Sequence, residues 1–255
     1  MKIQLKHLRL VVPVFVILIA AGAFASRYKS SAQPVVTGNI PVEDTIQSGI
    51  LRELSAVLHR MDTLTIVTIE GTVTARDLAD STRNMTTTFC YSRSGNTAYY
   101  KMGKNEMVSL NDCYIAIDHE VNKVFLSSPR EVVNPIQIPI NTEADMLGKE
   151  GYTVSRTEGD GIIRISLNNA IHPTCREYEL SYDPAGWITG TNMRVTDESM
   201  PVDKSRDKFI RVTIKSFQPG TVMAELLRKD RYVSVKNGVE KPASVLQGYE
   251  LIKDR

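Results

Sequence analysis

The chain is 255 residues long, with 31 Lys and Arg against 29 Asp and Glu and a formal net charge of +2. Lys2, Lys6 and Arg9 precede Ser26 and no acidic residue does, so the remainder carries −1 and gives no support to a nucleic-acid-binding function. The 230 residues after Ala25 suffice for one large domain with a sizeable core or two small ones, and no repeat or second linker divides them.

The basic opening runs into 16 apolar residues, Leu10 to Ala25, ending in Ala23-Phe24-Ala25. A basic start, apolar centre and small-x-small end make an export signal, and the run is also close to the length of a single membrane span. Residues 1–25 are therefore read as a signal peptide or membrane anchor. Pro13 weakens an uninterrupted helix, and the polar segment 26–41 reads as a flexible tether. Both readings place the rest of the chain outside the cytoplasm. No cysteine follows the apolar run to accept a lipid.

The first folded element is "VEDTIQSGILRELSAVLHRMD", in which Ile46, Ile50, Leu51, Leu54, Val57, Leu58 and Met61 recur at helical spacing. Glu43 and Asp44 suit the positive end of its dipole and Arg60 the other end. His59 lies beside the stripe with no second His or Cys three or four positions away, so it is read as a partly exposed helix residue and not a metal ligand.

Beyond it the period changes to two. "TLTIVTIEGTVTA" alternates Leu64 and Ile66 against Val67 and Ile69, with Gly71 suggesting a bulge or bend. "NMTTTFCY" sets Met85, Thr87, Phe89 and Tyr91 on one side, "SRSGN" turns, and "TAYYKM" continues. Asn111-Asp112 is read as a two-residue turn that pairs Leu110 with Cys113 and Val108 with Ile115. The next strand is then Lys123 to Leu126. This leaves Asp118, His119 and Glu120 at a hairpin tip, where adjacent side chains diverge into water and do not converge as a catalytic set.

"SPREVVNPIQIPINTEADMLGKEGY" holds Pro129, Pro135 and Pro139, which cannot sit in central strands, and ends in a short helix with Met146 and Leu147 on one side. It is read as an apolar crossover over the sheet. Strands follow at "YTVSRT", "GIIRISL", "REYELSY", "WITGTNMRV" and "KFIRVTIKSF". "YDPAGW" gives a type I turn closed by a left-handed glycine, and Tyr178, Leu180 and Tyr182 line one face of the strand before it, leaving the other face wet. The chain closes with a short helix through Val222 to Leu227, a hairpin at Asn237-Gly238 and an extended "GYELI".

Cys90, Cys113 and Cys175 fall on separate strands, Cys113 on an apolar face and Cys90 and Cys175 on polar ones, so no disulfide among them is expected. There is no HExxH, GxSxG, phosphate loop or CxxC. Ser205-Arg206-Asp207-Lys208 matches SxxK by letters alone, and His172 is read as a loop residue with no local carboxylate to orient it.

The order of these elements, with "LNDCYIAIDHEVNKVFL" and "SYDPAGWITG" within two meanders, resembles the LolA-like superfamily of periplasmic lipoprotein carriers and related sensor domains. The resemblance covers most of Val42 to Phe217, and no site residue transfers position by position. It implies an α+β, β-rich fold over 42–255: a strongly curved antiparallel half-barrel whose concave face is covered by the N-terminal helix and the crossover helix. It also implies a non-catalytic extracytoplasmic protein of the bacterial periplasm, without cofactor or metal, that carries or senses a lipid or a lipoprotein acyl chain. Leu54, Leu58, Ile136, Ile138, Met146 and Leu147 would then form the apolar cover. The rival reading is an anchored envelope module with a filled core and a protein partner, and a dispersed-site enzyme ranks third. The membrane is a partner through the N-terminal segment, and nucleic acid is not.

Overall fold

The computed structural model describes residues 42–130 and 149–253; Ile136, Ile138, Met146 and Leu147, and the signal or anchor, lie outside them. The described chain is β-rich α+β. Helix α1 (Val42–Asp62) is followed by β1 (Ile66–Asp77), β2 (Met85–Ser94), β3 (Thr97–Met102), β4 (Asn105–Ser109), β5 (Tyr114–Asp118) and β6 (Lys123–Ser127). Then come β7 (Thr153–Gly159), β8 (Ile162–Asn168), β9 (Cys175–Tyr182), β10 (Ile188–Val195), β11 (Lys208–Pro219), β12 (Val233–Lys236), β13 (Val239–Pro242) and β14 (Glu250–Lys253). Twelve strands hydrogen-bond in the order β14-β6-β5-β4-β3-β2-β1-β11-β10-β9-β8-β7, and β12 pairs with β13. The outermost strands are not neighbours, so this sheet is open. Its meander pairs are antiparallel, whereas β14 joins β6 in parallel.

The described residues divide into two compact units, 42–62, 75–85 and 149–211 in the first and 63–74, 86–130 and 212–253 in the second. In the first, α1 buries Leu51, Leu54, Val57, Leu58 and Met61, each contributing roughly 1.5–3 kcal/mol of apolar burial. Ile46, expected on that stripe, is 62% exposed, because the buried face begins one turn further on. The strands supply a matching apolar face. Ile163, Tyr182 and Ile188 stand opposite one another across β8, β9 and β10, as do Ile165, Leu180 and Thr191, and then Leu167, Tyr178 and Met193. Glu177 on the other face is exposed, in accord with one wet side.

The expected polar face for Cys175 is overturned. Cys175 and Arg176 are both buried, because the register of β9 and β10 shifts so that Arg194 pairs with Glu177 and Val195 with Cys175. This β-bulge leaves Arg176 as the extra residue and returns Cys175 to the apolar side. Arg176 meets Asp207, which has no exposed surface, with Nε 3.1 Å from Oδ2, and Arg194 Nε lies 2.7 Å from the same oxygen. The guanidinium of Arg176 also donates to the carbonyls of Ala170 and Pro201, holding the two loops together.

In the second unit, Val108 pairs with Ile115 and Leu110 N donates to Cys113 O at 2.8 Å, which is the register expected around Asn111-Asp112. Tyr99, Val108, Ile115, Ile117, Val124 and Leu126 form an apolar cluster with Tyr232, Val233 and Leu246 of the C-terminal segment. Phe89, Tyr91, Tyr100, Met102 and Met107, on the opposite face, are buried too, so β3 and β4 have no wet side. Gly71 marks a close approach: a Cβ there would lie 2.3 Å from the Thr213 carbonyl oxygen and 2.7 Å from the Phe89 ring. The helix expected through Val222 to Leu227 is replaced by 3₁₀ turns at Ala224–Leu227 and Lys229–Arg231, since the segment buries too little on one side to extend a helix. The hairpin at Asn237-Gly238 is present, with both residues at positive φ.

Candidate functional site

In the first unit α1 packs beside β7, and its Glu53 is reached by Tyr182 of β9. Leu54, Ile165, Leu167 and Leu180 have no exposed surface, and Leu58 is 6% exposed. Of the six expected cover residues, Leu54 and Leu58 fall within the described residues and are buried.

Glu53 and Arg60 supply polar contacts of α1. Tyr182 OH donates to Glu53 Oε1 at 2.6 Å, and Arg156 Nε lies 3.1 Å from Glu53 Oε2. Burial, and then the Glu53 carboxylate, push the Tyr182 phenol up, so it stays a donor. Arg60 stacks over the Trp187 ring at 4.0 Å and donates to the Ala185 carbonyl. The turn beneath is the expected one: Gly186 N donates to Asp183 O at 2.8 Å and Gly186 has φ 82°. A Cβ there would stand 2.8 Å from Arg60 Nη1, the end of a flexible side chain, so it is the positive φ that calls for glycine. The Glu53–Arg156 pair is about one-third exposed on each side, so solvent screens it and it adds little. The five buried apolar residues of α1 outweigh this screened pair in holding the helix in place.

Within the same face, Tyr178 is 1% exposed and its hydroxyl has no hydrogen-bond partner among the described residues. Burial pushes its phenol well above the usual tyrosine range. Nearby, Tyr152 OH donates to Cys175 O at 2.7 Å and Tyr152 stacks on His172. His172 is the expected loop residue but does have a carboxylate: Glu150 Oε2 is 3.7 Å from its Nε2. Its Nδ1 accepts from the backbone N–H of Cys175 at 3.1 Å, which places the ring proton on Nε2, and burial lowers its pKa. Cys175 Sγ donates to Glu177 O, and burial raises the thiol to about 12. A protonated thiol beside an imidazole whose acceptor nitrogen is already occupied is a poor nucleophile–base pair.

The residues Asp118, His119 and Glu120 do diverge. Asp118 accepts from the N–H of Glu120 and Val121, and Glu120 is exposed. His119 departs from the expected solvated tip: its Nδ1 lies 2.7 Å from Tyr249 OH and its Nε2 2.9 Å from Glu106 Oε1, which also accepts from Lys101 Nζ at 2.8 Å. Tyr249 arrives from 130 residues along the chain, a partner no local pattern announces. The SxxK letters belong to a turn in which Asp203 accepts from Ser205 Oγ and Asp207 is the buried ion-pair centre. Among the described residues no group of three or more His, Cys, Asp and Glu is placed to hold a metal ion, and no helix is long and apolar enough to cross a membrane.

Glu53, Arg60, Arg156 and Trp187 are absent from the expected cover. The one available signal for them is the single tryptophan beside a glycine-closed turn.

No protein-family model and no curated protein matches the chain. Among solved structures it is similar to an uncharacterized conserved protein from Thermus thermophilus, at 9% identity and TM-score 0.42 over 81% of this chain and 98% of that one. It is also similar to a LolA superfamily protein from Nitrosomonas europaea, at 9% identity and TM-score 0.32 over 72% and 98%. LprF from Mycobacterium bovis is similar at 15% identity and TM-score 0.34 over 70% and 96%.

Proposed function

We propose that this protein is a non-catalytic, extracytoplasmic carrier or sensor that takes an apolar ligand, a lipid or lipoprotein acyl chain, against the strand face under α1. The observation that carries this reading is the closure of that face. It is apolar across β8, β9 and β10, and the buried stripe of α1 is tied to the strands beside it by Glu53 and Arg60. Apolar burial is non-directional, so an acyl chain that displaces the stripe restores much of the term that the displacement loses, at roughly 0.8 kcal/mol per buried methylene. Residues 136–147 of the crossover complete the cover in this reading, and residues 1–25 export the protein or hold it at the membrane, in the bacterial periplasm.

An environment-sensitive fatty-acid probe should bind saturably, and lipid should copurify. Ile138→Ser should leave the protein folded and weaken the probe. A second reading, an envelope interaction module with a filled core, is favoured by the zero exposure of Leu54, Ile165, Leu167 and Leu180. It requires that no probe binds saturably and no lipid copurifies.

A further inference from the structure

The hydroxyl of Tyr178 has no hydrogen-bond partner among the described residues. Three other buried tyrosines use theirs: Tyr152 donates to the Cys175 carbonyl, Tyr182 to Glu53 and Tyr232 to the Leu226 carbonyl. A phenol hydroxyl removed from water without a replacement bond is destabilising, and phenylalanine would fill the same space without that cost. Tyr178 stands between Leu167 of β8 and Met193 of β10, on the same face of β9 as Tyr182, which bonds Glu53 of α1. A group that enters that face is therefore the one that can satisfy it.

Resting on the reading that an apolar ligand occupies this face, we propose that Tyr178 donates a hydrogen bond to the ligand, and that the ligand is an acyl ester with a neutral carbonyl acceptor. Burial keeps the phenol protonated, so it offers a donor and asks for an acceptor. The surroundings select against a charged one. Glu150 Oε2 lies 3.7 Å from His172, which stacks on Tyr152, and the Tyr152 hydroxyl bonds the carbonyl of Cys175 three residues before Tyr178. A ligand carboxylate brought into this region would meet a second carboxyl group and lose its hydration, whereas an ester carbonyl loses little. The class that fits is an esterified acyl chain, as on a glyceride or an acylated protein, in preference to a free fatty acid or a hydrocarbon.

The test compares three fluorescent probes on wild type and Tyr178→Phe: parinaric acid methyl ester, parinaric acid and the hydrocarbon diphenylhexatriene. The ester should bind wild type more tightly than the free acid. The Phe variant should weaken the ester by roughly three- to tenfold, the range of one neutral hydrogen bond, while leaving diphenylhexatriene unchanged. Its urea midpoint should equal or exceed that of wild type, since no bond in the closed protein is lost. If the hydrocarbon binds but the ester is insensitive to Tyr178→Phe, the apolar-ligand reading survives and the role of Tyr178 is overturned. A clearly lowered urea midpoint in the variant overturns it as well, by showing that the hydroxyl already has a partner. Saturable binding of none of the three probes to wild type overturns both readings.

Discussion

Replacing Asp207 by Asn should be the most damaging single-atom change available in the first unit. The Asp207 side chain has no exposed surface and the Arg176 side chain is 4% exposed, with Nε 3.3 and 3.1 Å from the two carboxylate oxygens. The Asn amide keeps one acceptor and turns an N–H₂ group toward a guanidinium. Arg194 loses less, because it is 22% exposed and retains Glu177 at 2.9 Å. The cost therefore falls on Arg176, left charged in a buried place, and removal of one partner of such a pair destabilises by about 3–5 kcal/mol. With a urea dependence of about 2 kcal/mol per molar, the midpoint followed by far-UV circular dichroism should fall by roughly 1.5–2.5 M. The double variant Arg176→Met with Asp207→Leu should be less destabilised than Asp207→Asn, since it leaves no unpaired charge in the interior. A midpoint shift of Asp207→Asn below about 0.3 M would mean that Arg176 is not held as a buried charge by this carboxylate.

Gly71→Ala should lose about 1–3 kcal/mol in the same assay, because a Cβ 2.3 Å from the Thr213 carbonyl oxygen forces backbone to move; an unchanged midpoint contradicts this. For Glu106, burial raises the pKa but the hydrogen bonds from Lys101 and His119 outweigh it, leaving the carboxyl below its ordinary 4.5. Its stabilisation is thus fully present above that value and is lost as pH falls through the lower folded one, so the stability gap between wild type and Glu106→Gln should close in acid; a gap constant down to pH ~3 opposes the assignment. Under denaturing, non-reducing conditions three thiols should react, and in the native protein Cys90 should react ahead of the buried Cys113 and Cys175; a single free group after denaturation would mean that two of them pair.

Local chemistry was legible wherever one element decides it. The Leu51 to Met61 stripe, the Asn111-Asp112 register and the Asp183–Gly186 turn each follow from spacing and turn residues within a dozen positions, and each is found. The polar groups that matter were not legible, because their partners are distant: Arg156 finds Glu53 across 103 residues and His119 finds Tyr249 across 130. A bulge is equally silent in the sequence. One extra residue at Arg176 moves Cys175 from the expected wet face to the core and creates the buried ion cluster at once. Of the residues expected to form a cover, Leu54 and Leu58 are buried on α1, and the contacts of Glu53 and Arg60 appear only in three dimensions.

Whether an acyl chain lodges under α1 can be read directly by photo-crosslinking. An acyl ester carrying a diazirine near its methyl end would be loaded on the protein, irradiated, and its attachment sites read by peptide mass spectrometry. Adducts on α1 around Leu54 and Leu58 and on the Ile163–Leu167 and Tyr178–Tyr182 segments, suppressed by excess unlabelled ester, are the expected result. Adducts confined to other surfaces, or labelling that unlabelled ester does not suppress, would show that the chain does not lodge there.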